Sequence, residues 1–239
     1  MLNQYILGTQ QLLQNPIPTN ALYPVSNLTS WVNTARGQLA GEGECIRFMA
    51  SIPLVAGQQV YPFSSISLAG STGIQGILKI QTIWRDIGTG QVWLRPRPFP
   101  WFSLYELNNP NPVQGSPTLW TQYGQGASGS FYVSPVPDQA YTCNLDCVCY
   151  PISLASDADP EAIPYLWTDA VPFFAAWYAL LAAQSAARQA DADRMMARYK
   201  EFVARARQFT TPSIMPGIYS QSPDPVRAQV LGLTQGGSR

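Results

Sequence analysis

The spacing between apolar residues changes twice along this chain, and these changes constrain the fold more than any single motif does. An early stripe recurs at helical spacing: Leu28, Trp31, Val32, Ala35 and Leu39. Between residues 45 and 150 apolar and polar residues alternate instead, and glycines and prolines interrupt each run. Helical spacing returns after residue 160. The pattern predicts an α+β protein with a mainly antiparallel β region inserted between helices.

Four helices follow from the apolar periodicity. The first covers residues 3–14, and the second begins with Ser26 as its cap and stops at the glycines near Gly43. The third covers residues 170–183, either with Asp169 as its N-cap or with an earlier helical piece at residues 163–167 and a kink at Pro172. The fourth follows a turn at residues 189–193. The short connection between the third and fourth helices predicts an antiparallel helical hairpin. We expect the four helices together to form one four-helix bundle, with the β region inserted between the second and the third.

The β region is expected to contain five to seven strands. Residues 130–134 alternate and stop at a proline-rich turn, and residues 141–150 alternate again, so the two segments predict a hairpin. The segment at residues 95–115 starts with three prolines, which remove backbone donors, and it predicts an exposed excursion rather than a central strand.

Charged residues are scarce. Only 12% of the chain is Asp, Glu, Lys or Arg, against roughly 25% in ordinary soluble domains. Such a surface is either neutral and polar, as in a charge-poor secreted monomer, or covered by partner subunits. The net charge of zero supplies no general attraction to nucleic acid or acidic lipid. We find no signal peptide and no apolar run of membrane-spanning length, so we expect synthesis in a cytoplasm and no membrane contact.

The residues that usually carry catalysis are missing or badly spaced. The chain has no histidine, which excludes Ser/His/Asp and Cys/His catalysis. Cys143, Cys147 and Cys149 occupy odd positions of one predicted strand, too far apart to share one metal ion, so we expect buried free thiols. We therefore predict a protein without catalytic residues, metal or cofactor.

An acidic cluster precedes the third helix: Asp157, Asp159, Glu161 and Asp169. Oxygen ligands of this kind could bind Mg²⁺ or Ca²⁺, or supply a pair of catalytic carboxylates. The composition also suits a turn and a helix start, where acidic residues favour the positive end of the helix dipole, and this interpretation fits better.

Two sets of side chains are candidates for contact surfaces. Aromatic residues within and beside the exposed excursion could contact a neighbouring subunit or form a sugar-stacking platform: Trp93, Phe99, Trp101, Phe102 and Tyr105. Three arginines share one face of the fourth helix and could contact DNA phosphates or an acidic partner: Arg194, Arg198 and Arg205. A solvated face with Arg–Glu pairs is the simpler alternative for the arginines.

The C-terminal segment, residues 210–239, is broken by proline and glycine yet rich in apolar residues. We expect it to order on a partner through these anchors: Ile214, Met215, Ile218, Tyr219, Val230, Leu231 and Leu233. The alternative is a tail that wraps around its own domain.

The order of elements resembles a known family. "FYVSPVPDQAY" followed by "YPISLASDADPEAIPYLWTDAVPFFAAWYA", with "SNLTSWVNTARGQLAGEGECIRF" and "AGQQVYPF" upstream, is similar to head-to-tail adaptor proteins of tailed bacteriophages, chiefly short-tailed ones. These are also called head-completion or upper tail-tube proteins. The resemblance extends from Ser26 to Phe209 and lies in the order of elements rather than in one motif.

This resemblance implies a structural virion protein in the neck or tail region, made in the host bacterial cytoplasm. It implies a ring, a dodecamer in the family, which sits beneath the portal, extends the DNA channel without sequence-specific binding and offers a platform for tail nozzle or tail-tube proteins. Carried onto this chain, residues 1–44 and 151–209 form the helical portal-side part. Residues 45–150 form the tail-side β domain, and residues 210–239 form an extended tail that binds the portal.

Two alternatives remain from the sequence. One is a tail-tube or tail-completion protein that does not contact the portal. The other is a carbohydrate-binding or hydrolytic virion protein that uses the aromatic excursion and the acidic cluster.

Overall fold

The computed structural model describes residues 1–14, 23–87, 90–183 and 188–210 of the 239-residue chain. The helices in this part are α1 (Leu2–Leu12), α2 (Val25–Gly43), α3 (Phe99–Phe102), α4 (Ala170–Ala182) and α5 (Gln189–Thr210). The strands are β1 (Arg47–Leu54), β2 (Val60–Pro62), β3 (Ile74–Asp86), β4 (Gln91–Trp93), β5 (Arg95–Pro96), β6 (Leu119–Tyr123), β7 (Ser130–Ser134) and β8 (Tyr141–Pro151).

The strands form two four-stranded sheets. The first has the order β1-β8-β3-β4 and is antiparallel throughout, and the second has the order β2-β7-β6-β5 with one parallel pair, β5 and β6. The two sheets meet where the backbone N–H of Ile80 on β3 donates to Oε1 of Gln122 on β6, at 3.0 Å. The predicted α+β class with a mainly antiparallel β region is thus found, with eight strands where five to seven were expected.

The predicted hairpin between residues 130–134 and 141–150 is wrong, because β7 and β8 belong to different sheets. The proline-rich connection between them forms its own backbone hydrogen bonds: Val136 N–H donates to the carbonyl of Val113, and Gly57 N–H donates to the carbonyl of Pro137. These bonds fix the connection as a crossover from the second sheet to the first. The alternation in both segments indicates that each strand has one buried face, but it does not indicate which strand lies beside it in the sheet.

The predicted four-helix bundle is also wrong. α4 packs against α1, α2 and α5, while α2 packs against β8 of the first sheet as well as against its helical neighbours. In a bundle the apolar faces would all turn to one helical centre. Here part of the apolar surface of α2 is covered by the sheet, so the helices form a layer on β8 instead.

The boundaries of α2 explain how it is joined to the sheet. Pro24, with φ −64° and ψ 149°, occupies the N-cap position, so the predicted cap Ser26 lies inside the first turn and makes no capping bond. At the other end Glu44 has a left-handed φ of 51° and closes the helix. Its carboxylate accepts hydrogen bonds from Lys79 at 2.7 Å and from Gln81 at 2.5 Å, both on β3.

Candidate functional site

The proline-rich excursion carries a cluster of aromatic side chains beside the second sheet, in which Tyr105 and Tyr123 are exposed and Phe99 and Trp101 are half-buried. Pro98 and Pro100 lie at the start of α3, where the backbone N–H that proline lacks would have no partner within the helix. A π-helical turn, Ser103–Leu107, follows. The Phe99 ring lies 4.5 Å from that of Tyr123, and the Trp101 ring lies 5.2 Å from that of Tyr105. We call this group the α3 aromatic surface; its members are Phe99, Trp101, Leu104, Tyr105 and Tyr123.

A positive charge borders the α3 aromatic surface. The guanidinium of Arg97 lies over the Trp101 ring at 5.2 Å, which is a cation–π geometry. Tyr105 is 58% exposed and Leu104 is exposed beside it. A mixed aromatic and cationic surface of this composition is typical of protein interfaces.

Two of the five predicted aromatic contacts lie elsewhere. Phe102 is completely buried, with its ring 6.4 Å from that of Tyr132, so the expectation that it is exposed is wrong. It faces inward because α3 is a helical turn that carries Phe102 to the side opposite the solvent. Trp93 is 54% exposed, but it stacks near Trp84 on the first sheet at 4.9 Å and is separate from the α3 group.

The predicted arginines lie on the exposed side of α5, and we call Arg194, Arg198 and Arg205 the α5 arginine face. Arg194 contacts Asp191 at 3.7 Å, and Arg198 pairs with Glu201 and lies over the Phe202 ring at 5.4 Å. Arg205 is exposed. Two of the three charges are thus partly neutralised within the helix, as the simpler alternative of a solvated face with internal ion pairs predicts.

The acidic cluster lies in a loop whose carboxylates accept hydrogen bonds from the loop backbone, from the start of α1 and from α2. Asp159 accepts hydrogen bonds from the backbone N–H groups of Ser156 at 2.7 Å and Ala155 at 2.6 Å, and these bonds lower its pKa. Asp157 accepts from the amino group of Met1 and from the backbone N–H of Asn3, both at 2.8 Å, and its pKa is lowered by these contacts. Carboxylates used in this way are structural and are poorly placed as a catalytic pair.

Glu161 belongs to a buried ion pair that the sequence pattern did not reveal. Arg36 of α2 is completely buried, and its Nη2 lies 2.7 Å from Oε1 of Glu161. Its Nη1 also donates to the carbonyl of Ile152 at 2.6 Å and to Asn33 Oδ1 at 3.1 Å. The only signal in the sequence is that Arg36 stands within the apolar stripe, four residues after Val32. The pair locks the acidic loop to α2.

All four cysteines are buried free thiols. Burial raises the pKa of Cys143 to about 11 and that of Cys45 and Cys149 to about 12, and it raises the pKa of Cys147 as well. Protonated thiols of this kind are weak nucleophiles and weak metal ligands. Within the described ranges, no three His, Cys, Asp or Glu side chains are grouped to hold a metal ion.

Sequence reasoning missed a second apolar surface, which we call the terminal patch. It consists of Tyr165, Leu166, Trp167 and Phe209. The first three form a 3₁₀ turn before α4, Tyr165–Trp167, and the Trp167 ring lies 5.9 Å from that of Phe209 at the end of α5. Only the packing of α5 shows which of these side chains remain outside the core.

The seven predicted portal anchors of the C-terminal segment, from Ile214 to Leu233, lie outside the described residues. A membrane-spanning helix is not found either: among the helices described, none combines the length and the apolar character needed to cross a bilayer.

A charge-poor α+β chain with exposed aromatic and apolar surfaces, whose loop carboxylates are engaged in hydrogen bonds within the protein, has the properties of a structural assembly protein. The family model of the SU10 adaptor protein matches residues 9–223, which is most of the chain. The chain therefore belongs to the SU10 adaptor protein family, and the resemblance to phage head-to-tail adaptors is confirmed. No curated protein matches the chain.

Proposed function

We propose that this protein assembles as a ring, of twelve copies by analogy with the family, beneath the portal in the neck of the virion. The ring extends the channel through which genomic DNA passes without sequence-specific binding, and it provides the platform for tail nozzle or tail-tube proteins. It acts by contact and catalyses no reaction. The family match over residues 9–223 carries this proposal.

The proposed contacts are divided between the helical part and the β domain. The helical part, residues 1–44 and 151–209, together with the tail at residues 210–239, meets the portal. The β domain, residues 45–150, faces the tail components through the α3 aromatic surface, with Trp93 as a separate contact. α3 packs against β6 of the second sheet, whereas α1, α2 and α5 pack against α4, and this arrangement supports the division. Phe102 is left out because it is buried in the protomer.

The α5 arginine face is the weakest contact in this proposal. Arg205 is the member that we assign to the DNA channel or to an acidic partner surface, because Arg194 and Arg198 already have acidic neighbours on their own helix.

Mass photometry of the purified protein, alone and mixed with the portal protein encoded near it, tests the proposal. We expect a small species alone and a complex of ring stoichiometry with the portal. Absence of any association with the portal would contradict the adaptor role and would favour a tail-tube or tail-completion protein lower in the virion.

A truncated chain that ends at Thr210 tests the role of the tail. The described helices and strands all end by this residue, so the truncated protein is expected to keep its circular dichroism spectrum and to lose portal binding. Unchanged portal binding by the truncated protein would exclude residues 211–239 as the portal contact.

A further inference from the structure

The terminal patch is the least covered apolar surface in the described part of the chain. Tyr165 is 84% exposed, Leu166 is 75% exposed and Phe209 is 82% exposed. Tyr165 and Leu166 precede the half-buried Trp167 in the chain, and the Phe209 ring packs 5.9 Å from that of Trp167. Large exposed apolar side chains that are grouped, rather than scattered singly, mark a binding site.

The patch continues into a groove. Tyr165 also lines a cavity of ≈ 220 Å³ between α1 and the start of α4, with Tyr5, Gly8 and Pro172 among its walls. At Gly8 the wall packs closely on α4, since a Cβ there would lie only 3.2 Å from the Pro172 ring. The walls also include Gln4, Thr168 and Asp169, so the lining of the cavity is mixed polar and apolar.

The point at which the C-terminal segment leaves the fold is fixed next to this patch. Thr210 Oγ1 donates to the carbonyl of Gly43 at 2.9 Å, and Arg47 donates to the carbonyl of Thr210 at 2.9 Å. Residue 211 therefore follows Phe209 by two positions. An extended chain advances about 3.3 Å per residue, so Ile214 can reach the patch within about 13 Å of Thr210.

We infer that the terminal patch is the docking site of this chain's own segment 211–219 in the free protomer, with Ile214, Met215, Ile218 and Tyr219 as the anchors. A tethered segment has a millimolar effective concentration, so it occupies the patch before any separate molecule does. The inference rests on the proposed function in one respect, because portal binding then requires the segment to leave the patch. Docking on the patch keeps the segment from contacting other apolar surfaces before the portal is present.

A disulfide trap in the full chain tests the inference. The double variant Leu166→Cys with Ile214→Cys is compared with Val113→Cys plus Ile214→Cys, whose first cysteine is equally accessible but lies on the loop before β6. The four native thiols are buried and stay unreactive near neutral pH because burial raises their pKa. Under a mild oxidant we expect the first pair to form an intrachain disulfide at least ~10-fold faster than the second.

The products distinguish the occupants. Equal rates in the two variants would overturn the inference, and a covalent dimer would overturn it by showing that a second copy supplies the segment. We further expect the intrachain disulfide to block portal binding and its reduction to restore that binding. Rapid trapping with portal binding unaffected by the disulfide would keep the docking site and reject the portal-binding role of segment 211–219.

Discussion

Arg36 is the residue on which the helical layer depends most strongly. Its guanidinium is removed from water and satisfied by Glu161, Asn33 and the carbonyl of Ile152, so one side chain joins α2 to the strand exit and to the acidic loop. The hydroxyl of Tyr5 from α1 approaches the same site, and burial together with the Glu161 carboxylate raises its pKa. Three elements thus converge on a single ion pair.

Replacing Arg36 by Met is expected to lower the free energy of unfolding by about 3–5 kcal/mol, because it leaves the carboxylate of Glu161 buried without its cation. Urea denaturation of the full chain measures this loss. The control Arg198→Met breaks an exposed pair and should cost less than ~1 kcal/mol. Adding Glu161→Gln to Arg36→Met should recover part of the loss; equal losses in the two single variants would contradict the assigned role.

Asp159 predicts a pH dependence. Backbone N–H groups of Ser156 and Ala155 lower its folded-state pKa, so the unfolded chain takes up a proton first as the pH falls. Its contribution to stability is present above the unfolded pKa and is lost on acidification below about pH 5, as the pH falls toward the lowered folded-state pKa. We expect Asp159→Asn to flatten the fall of the urea midpoint in this range.

The control for that experiment is Asp193→Asn, which removes the same charge from the exposed face of α5, where Asp193 accepts one hydrogen bond from Gln189 at 3.1 Å. It should leave the acid slope as in the unchanged protein. An acid slope that is the same in Asp159→Asn as in the unchanged protein would show that the loop carboxylate does not contribute.

At the scale of elements, the acidic loop is held against the start of β3 by a close backbone approach. Gly73 has a φ of +73°, and a Cβ at this position would lie 2.6 Å from the carbonyl oxygen of Pro160. The Gly73 carbonyl also accepts a hydrogen bond from Ile152 N–H at 2.9 Å. The chain can pass this closely only because glycine has no side chain.

Substituting Gly73 by Ala should therefore cost more than the same change at Gly57, which has a similar φ of +78° but open space around it. Both variants incur about 1–2 kcal/mol for a left-handed backbone, and only Gly73→Ala adds about 1–3 kcal/mol of steric conflict. Urea denaturation compares the two. Faster hydrogen exchange of residues 155–162 in Gly73→Ala alone would locate the added cost in the loop.

The whole molecule has 14 basic and 14 acidic residues among 239, and this balance predicts how it associates. If apolar anchors carry the portal contact, the dissociation constant should change less than ~3-fold between 50 and 300 mM salt, because few counterions are released. Fluorescence anisotropy against a salt series measures this. A steep loss of affinity with salt, removed by Arg205→Gln, would assign the contact to the α5 arginine face instead.

Much of the local structure could be predicted from spacing. The stripe from Leu28 to Leu39 became α2, the apolar run after Asp169 became α4, and the alternating cysteines became the buried face of β8. Each of these follows from a 3.6- or 2-residue period, which a short window of sequence contains. The absence of histidine and the scarcity of charge are properties of composition, so the sequence by itself also limited the chemistry that the chain can perform.

The arrangement of these elements depended on contacts between distant residues. Only the fold shows that β7 and β8 belong to different sheets, that α2 gives part of its apolar face to β8 rather than to a bundle, and that Phe102 turns inward. The same holds for Arg36, whose partner stands 125 residues away, and for the terminal patch. The apolar period of a segment indicates that one of its faces is buried. The packing of the whole chain decides which surface covers that face.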